Sequence, residues 1–386
     1  MRLLKITFLS LLISFTFFCG PNPEELSRKS DEALAQEKPE LALILAQQAF
    51  EAALPSELLP LGRTVYESLL VSADGKKTAA MAKVKSESTK HRFRVWDENF
   101  KRLVSFEMDS PPKYAQLSAN GAFAAFVYEK PGDENSCIVT ALRVEDKEYF
   151  AKGVVIPCSC RPAIANRGAV YFWLDGKIYA YDFINETEKI WKKTPDRPYP
   201  GITANASFFF SADDIPFFTF GSAGSYKMYN LEEELNMLTK DGAFYRIYFR
   251  HDSSEPGILI GGAGQHRVVF FDPSEKRKIR RTVQSGVWQN AAFHDKTLYY
   301  YMENHEIYAV TTTFTQDKKG KEKSETEEEM VPIWAREFYA SHDGSLTFLS
   351  PSGIVIRWPA KYKLSDELKL YYSKAANLDP ERESEE

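Results

Sequence analysis

Between about residues 66 and 360, apolar and polar positions alternate in short runs bounded by Gly, Asp, Asn or Ser. A period of two marks half-buried β-strands, and the small polar residues mark the turns between them. The stretch VYFWLDGKIYAYD, from Val170 to Asp182, is the clearest instance. Two aromatic-rich strands flank Asp175-Gly176, a pair suited to a two-residue hairpin.

That hairpin is one copy of a repeated order. Ser72-Ala-Asp-Gly75, Ser118-Ala-Asn-Gly121, Asn166-Arg-Gly168, Ser211-Ala-Asp-Asp214, His251-Asp-Ser-Ser254, His294-Asp-Lys296 and Ser341-His-Asp-Gly344 each open a group of strands. They fall near 75, 121, 168, 214, 255, 296 and 344. A unit of about 42 residues with four short strands is the signature of a β-propeller blade. A β-sandwich needs no fixed period. The expected fold is therefore mainly β: a seven-bladed β-propeller over 66–362.

Before it the pattern changes. Ala33, Ala35, Leu41, Ala42, Leu45, Ala46, Ala49 and Ala53 fall largely at helical spacings, with Pro39 opening the second helix and Pro55 stopping it. A further helical turn or two is expected over 57–69. The region 19–65 is too small to bury its own face, so it must cap the propeller or dock a partner helix. At the other end a helix is expected from Asp366 to Ala376, capped by Ser365. It sits in a segment, 363–386, that ends in a disordered acidic tail. QDKKGKEKSETEEEM, Gln316 to Met330, lacks aromatics and is expected to be a mobile charged connection.

The 14% aromatic content agrees with a strand-rich chain, and the net charge of −5 leaves no electrostatic footprint for nucleic acid. The first residues carry an address. A basic leader, Met1 to Lys5, precedes an apolar run from Ile6 to Phe18, too short to span a bilayer and followed by Cys19-Gly-Pro. An ordinary secretory signal or an uncleaved anchor would also show such a run. Cys137, Cys158 and Cys160 remain. Export permits a disulfide from Cys137 to one of the other two, and Cys158-Ser-Cys160 lacks the partners of a zinc site.

Several stretches resemble known families. Residues 1–18 with Cys19 resemble a bacterial lipoprotein signal, although Phe18 stands where that pattern has a small residue. The resemblance implies acylation of Cys19 and anchoring in the cell envelope at the outer membrane, on its periplasmic or surface face. KPELALILAQQAFEAALPS resembles the second helix of a tetratricopeptide repeat. FRVWD and GIVIRWP resemble the third strand of WD repeats, and SADG and SANG resemble the turn that precedes it. VYFWLDGKIYAYDFINETEKIWK resembles a blade of quinoprotein-like propellers. The glycine-histidine pair of a full WD repeat is missing, so the fold carries over better than either family name.

Candidate chemistry is sparse. His251, His294 and His342 recur beside opening turns, where capping a turn explains them as well as a shared metal would. Asp74, Asp175, Asp213, Asp214 and Asp343 invite a paired-carboxylate reading, but turn Asp also bonds its own backbone. Gly261-Gly-Ala-Gly264 lacks the Lys and Ser of a phosphate loop and suits a hairpin turn. No catalytic residue, cofactor or metal is assigned. The expected function is a non-catalytic protein-interaction scaffold with an unidentified envelope or surface partner. The alternatives are a propeller resembling the outer-membrane assembly lipoproteins, or a hydrolase or lyase acting on envelope carbohydrate.

Overall fold

The structure is a computed structural model of the chain. It describes residues 22–84, 87–193, 205–222, 225–230, 235–239, 243–249, 256–262, 265–271, 279–286, 288–295, 297–303, 306–316, 320 and 322–380. The signal residues 1–18, Cys19, His251 and the tail from 381 onward lie outside the described residues.

Among the described residues the strands form seven sheets in chain order: five of four sequential antiparallel strands, a last one of three, and a fourth sheet of five, in which Cys160–Arg161 pairs in parallel with Asn205–Phe210 beside its four sequential strands. Each begins with a short first strand: Ser68–Val71, Tyr114–Leu117, Ala163–Ile164, Asn205–Phe210, Ala243–Phe249, Trp288–Phe293 and Glu337–Ala340. Neighbouring first strands lie side by side from the first sheet to the fourth, and again from the fifth through the seventh. The fourth and fifth sheets meet through Ser225–Asn230 and Ala243–Phe249. Glu337–Ala340 then returns to Ser68–Val71, so the sheets form a ring without sharing strands between its ends. A ring of radial sheets is the architecture of a β-propeller.

Each sheet is sandwiched between two others, which explains strands buried on both faces. Phe123–Lys130 is buried over its first five residues, and Leu346–Leu349 throughout. Aromatic rings fill the gaps between sheets. Phe93 meets Phe126 edge-on at 4.9 Å, Phe150 meets Phe183 at 5.9 Å, and Tyr171 meets Phe210 at 5.5 Å. The Val170 hairpin forms as expected. Ala169–Leu174 pairs with Lys177–Asp182, and Asp175 and Gly176 take φ of 50° and 75°, both positive as a two-residue turn of this kind requires.

Two expectations need correction. Gln316 to Met330 is not simply a connection: Glu322–Val331 is the fourth strand of the sixth sheet, paired with Glu306–Gln316 from Ile307↔Val331 to Gln316↔Glu322. An outer strand is held by backbone pairing and can face water, so Glu is tolerated there and discourages pairing with other chains. The turn or two of helix over 57–69 is shorter than expected. A 3₁₀ turn, Ser56–Leu58, ends the helical region, and the first strand starts at Ser68. Pro60 and Gly62, with φ of 62°, lie between them.

Among the described residues three α-helices complete the fold: α1 (Pro23–Ala35), α2 (Pro39–Ala53) and α3 (Asp366–Leu378). Asn22 caps α1, and Ser365 caps α3 by accepting the Leu368 amide at 3.2 Å. Among the described residues the seventh sheet has three strands, with Val355–Trp358 at its edge. Phe50, Leu54, Leu58 and Leu59 share a buried cluster with Ile354, Ile356 and Trp358 of that sheet and with Leu368 and Ala375 of α3. An exposed apolar edge invites foreign strands, and helices from both ends of the chain cover it. The helical foreword thus caps the ring together with the C-terminal helix.

Candidate functional site

The six described opening turns occupy one place in their sheets, between the first and second strands, and so lie on one face of the ring. Their local chemistry follows from the Ser-x-Asp/Asn-Gly pattern. The fourth residue donates its amide to the first residue's carbonyl, as from Gly75 to Ser72 at 2.8 Å and from Gly344 to Ser341 at 2.9 Å. That fourth residue adopts positive φ: 71° at Gly75, 66° at Gly121, 81° at Gly168, 64° at Asp214 and 81° at Gly344. Glycine suits such φ values, and Asp tolerates them. The leading serines are buried, and their hydroxyls accept amides of the returning strand, Lys77 to Ser72 at 2.9 Å and Phe123 to Ser118 at 3.1 Å.

Turns are also joined to one another. Asp74 donates its amide to the Ala119 carbonyl at 2.9 Å, and Asn120 donates to Asn166 Oδ1 at 2.9 Å. Asn166 in turn donates to the Asp214 carboxylate at 3.0 Å. Further round, His294 Nδ1 lies 3.1 Å from the Ser341 carbonyl, and the His342 amide donates to the Gly75 carbonyl at 3.1 Å. The relay therefore links turns one to four, six to seven, and seven back to one.

Four of the eight candidate His and Asp residues, Asp74, Asp214, His294 and His342, belong to this relay. Asp74 accepts the Ser72 hydroxyl at 2.6 Å and the Lys76 amide at 3.1 Å. Asp343 accepts from the Ser345 hydroxyl at 2.7 Å and from Arg357 at 2.5 Å. Burial alone would raise its pKa, but the hydrogen bonds from Ser345 and the Arg357 charge outweigh it and hold the carboxyl below the usual range. Asp213 is exposed in its turn, and Asp175 sits in the hairpin already described. His294 faces the seventh turn, whereas His342 Nε2 approaches Glu98 of the first sheet at 3.4 Å. Gly261 and Gly262 end a strand paired with Gln265–Phe271, and 263–264 lie outside the described residues. Among the described residues no group of three His, Cys, Asp or Glu is placed to hold a metal ion.

Cys137 and Cys158 form the disulfide, and Cys160 is a buried free thiol whose Sγ accepts the Trp173 amide at 3.2 Å. Burial pushes that thiol up to about 12, the opposite of a reactive cysteine.

Arg357 was not singled out by sequence reasoning. It ties the last sheet to the first by donating to the Glu98 carbonyl at 3.3 Å and lying over the Phe100 ring at 5.2 Å. Its place in the GIVIRWP strand was the one available signal. Glu337 Oε2, which accepts the Leu69 amide at 2.7 Å across the same junction, had none.

No protein-family model and no curated protein sequence matches the chain. Among solved structures it is similar to the β-propeller domain of Cps50 (Swd1) from Myceliophteria thermophila, at 11% identity and a TM-score of 0.49, over 77% of this chain and 98% of that one. It is also similar to the β-propeller domain of the Trilobed protease from Pyrococcus furiosus, at 12% identity and a TM-score of 0.49, over 78% and 96%. A streptogramin B lyase matches at 12% identity and a TM-score of 0.41, over 76% and 93%. The assignment of this chain to the β-propellers rests on its own ring of sheets. Among the described residues no helix is long and apolar enough to cross a membrane.

Proposed function

We propose that the protein is an envelope lipoprotein, anchored to the outer membrane through lipid on Cys19, whose seven-bladed propeller binds an envelope or surface protein without catalysing a reaction. In this reading each of the seven sheets is a blade, and the tetratricopeptide-like α1–α2 pair closes the last one. The observation that carries the scaffold role is the turn-to-turn relay. It commits Asp74, Asn166, Asp214 and His294 to holding the rim, and a rim so held displays exposed side chains such as Lys76, Asn99, Asn120 and Asp213 at fixed positions. Rigid display lowers the ordering cost of binding.

The test is cross-linking in intact cells followed by capture of the tagged protein. Charge-reversing or bulky substitutions at Lys76, Asn99, Asn120 and Asp213 should abolish capture of one defined partner while leaving the fold intact. Capture unchanged by those substitutions, or polysaccharide cleavage by the purified protein, overturns the scaffold reading. Incorporation of labelled fatty acid, lost in Cys19→Ser, tests the anchor separately.

A further inference from the structure

The chain length between Cys19 and the first helix constrains how the ring stands at the membrane. α1 begins at Pro23, so Gly20, Pro21 and Asn22 alone separate it from Cys19. An extended chain of this length spans about 14 Å at most. Whatever lies beside the start of α1 is therefore within about 14 Å of a lipid carried by Cys19.

What lies there is α3, from about Tyr371 to Lys374. Lys374 Nζ donates to the Ser27 carbonyl at 2.7 Å and pairs with Asp31 at 2.7 Å. Tyr371 lies under the charge of Glu24 and Lys374 beside Ser27 and Asp31, so α3 follows α1 in the same direction, and Tyr371 and Leu378 pack on the cluster that holds Leu26 and Ala33. Leu370 precedes Tyr371 and lies one turn before Lys374, which puts it beside the beginning of α1. It is 73% exposed, a large apolar side chain turned to solvent where the anchor would be. Arg28 pairs with Glu32, Lys29 with Glu25 and Lys369 with Asp366 on their own helices, while Glu24 and Glu367 add acidic charge, so among the described residues nothing at this end draws anionic lipid.

We infer that the three-helix unit is the membrane-facing surface of the protein and that Leu370 enters the lipid headgroup region. This rests on acylation of Cys19 as proposed above. The helices cover the outer edge of the seventh sheet, so the rim of the ring meets the bilayer. Both turn-bearing faces then point sideways, open to partners. The occupant is the lipid surface itself, recognised by apolar contact and independent of lipid charge.

The test uses the full-length protein purified from its membrane, with acylation of Cys19 read by mass spectrometry. Leu370→Cys and, as control, Ile190→Cys on the outer strand Thr187–Lys193 of the third sheet each carry a fluorescent label. Ile190 is 52% exposed and belongs to a sheet distant round the ring. In phosphatidylcholine vesicles containing doxyl-labelled lipid, emission at 370 should fall several-fold, and emission at 190 should stay unchanged. Added anionic phosphatidylglycerol should not strengthen the quenching at 370. An acylated protein showing no quenching at 370, or equal quenching at both sites, overturns the inference and leaves the anchor standing. Absence of the lipid in the mass spectrum overturns the anchor, and the inference with it.

Discussion

The Glu51 carboxylate on α2 accepts a hydrogen bond from the Ser352 hydroxyl in the last turn of the seventh sheet, across 301 residues of sequence. Arg63 closes the same corner by donating to the carbonyls of Glu51 at 2.9 Å and Ala52 at 2.7 Å. This corner is one of the joints that fasten the helical cap to the ring.

Glu51 should make stability fall with rising pH. Burial raises its pKa to about 7, against the opposing hydrogen bonds from Ser352 and Ser350. A group with a raised folded pKa favours the folded state fully below its unfolded value. That contribution is lost as pH climbs from the ordinary carboxylate value of about 4.3 through about 7. Thermal melts between pH 4.5 and 8 should show this decline in the native protein, and Glu51→Gln should flatten it. An unchanged slope in the variant would show that the titrating group is another residue.

Gly168→Ala should cost about 1–3 kcal/mol, the scale of a strained backbone position. Its φ is 81°, and an added Cβ would sit 2.8 Å from the Phe123 ring of the preceding sheet. Urea unfolding of Gly168→Ala, compared with Gly168→Ala combined with Phe123→Leu, separates the two causes. Relief by the second change marks the clash between sheets, and no relief marks the backbone.

The cysteines predict a labelling pattern. Native protein should resist alkylation at Cys160, and denaturation without reductant should expose that thiol but not Cys137 or Cys158. Peptide mapping after each step reads it out. Reduction should lower stability by about 3 kcal/mol, the scale for a loop of this size.

Trp334→Ala should destabilise the helical cap by about 3–5 kcal/mol. The ring meets Phe50 edge-on at 5.7 Å and Tyr372 at 5.1 Å, and its Nε1 donates to Asp379 at 3.1 Å. Hydrogen exchange should quicken first in α2 and α3. Exchange that quickened equally in the first four sheets would mean the cap and ring unfold as one unit.

Much of the propeller was legible because its determinants are local. A turn such as Ser72–Gly75 needs a left-handed fourth residue and a short side-chain acceptor at its first, and both requirements are written in four letters. Asp175-Gly176 likewise specifies its own hairpin. The strand at Glu322–Val331 escaped because its pairing uses the backbone, which leaves no apolar pattern in the sequence. Glu51 and Glu337 escaped because their partners are 301 and 268 residues away.

By itself the sequence determined the repeat, the opening turns and the two ends as helices, since hydrophobic period and turn chemistry act within a few residues. Only the tertiary structure decided that the ends meet. The three-stranded seventh sheet leaves an edge, and α1, α2 and α3 bury their apolar faces on it. It also decided which of Cys158 and Cys160 pairs with Cys137, and that the Asp214 carboxylate holds the neighbouring turn at Asn166. Those outcomes depend on distances between segments far apart in the chain, which a local pattern does not encode.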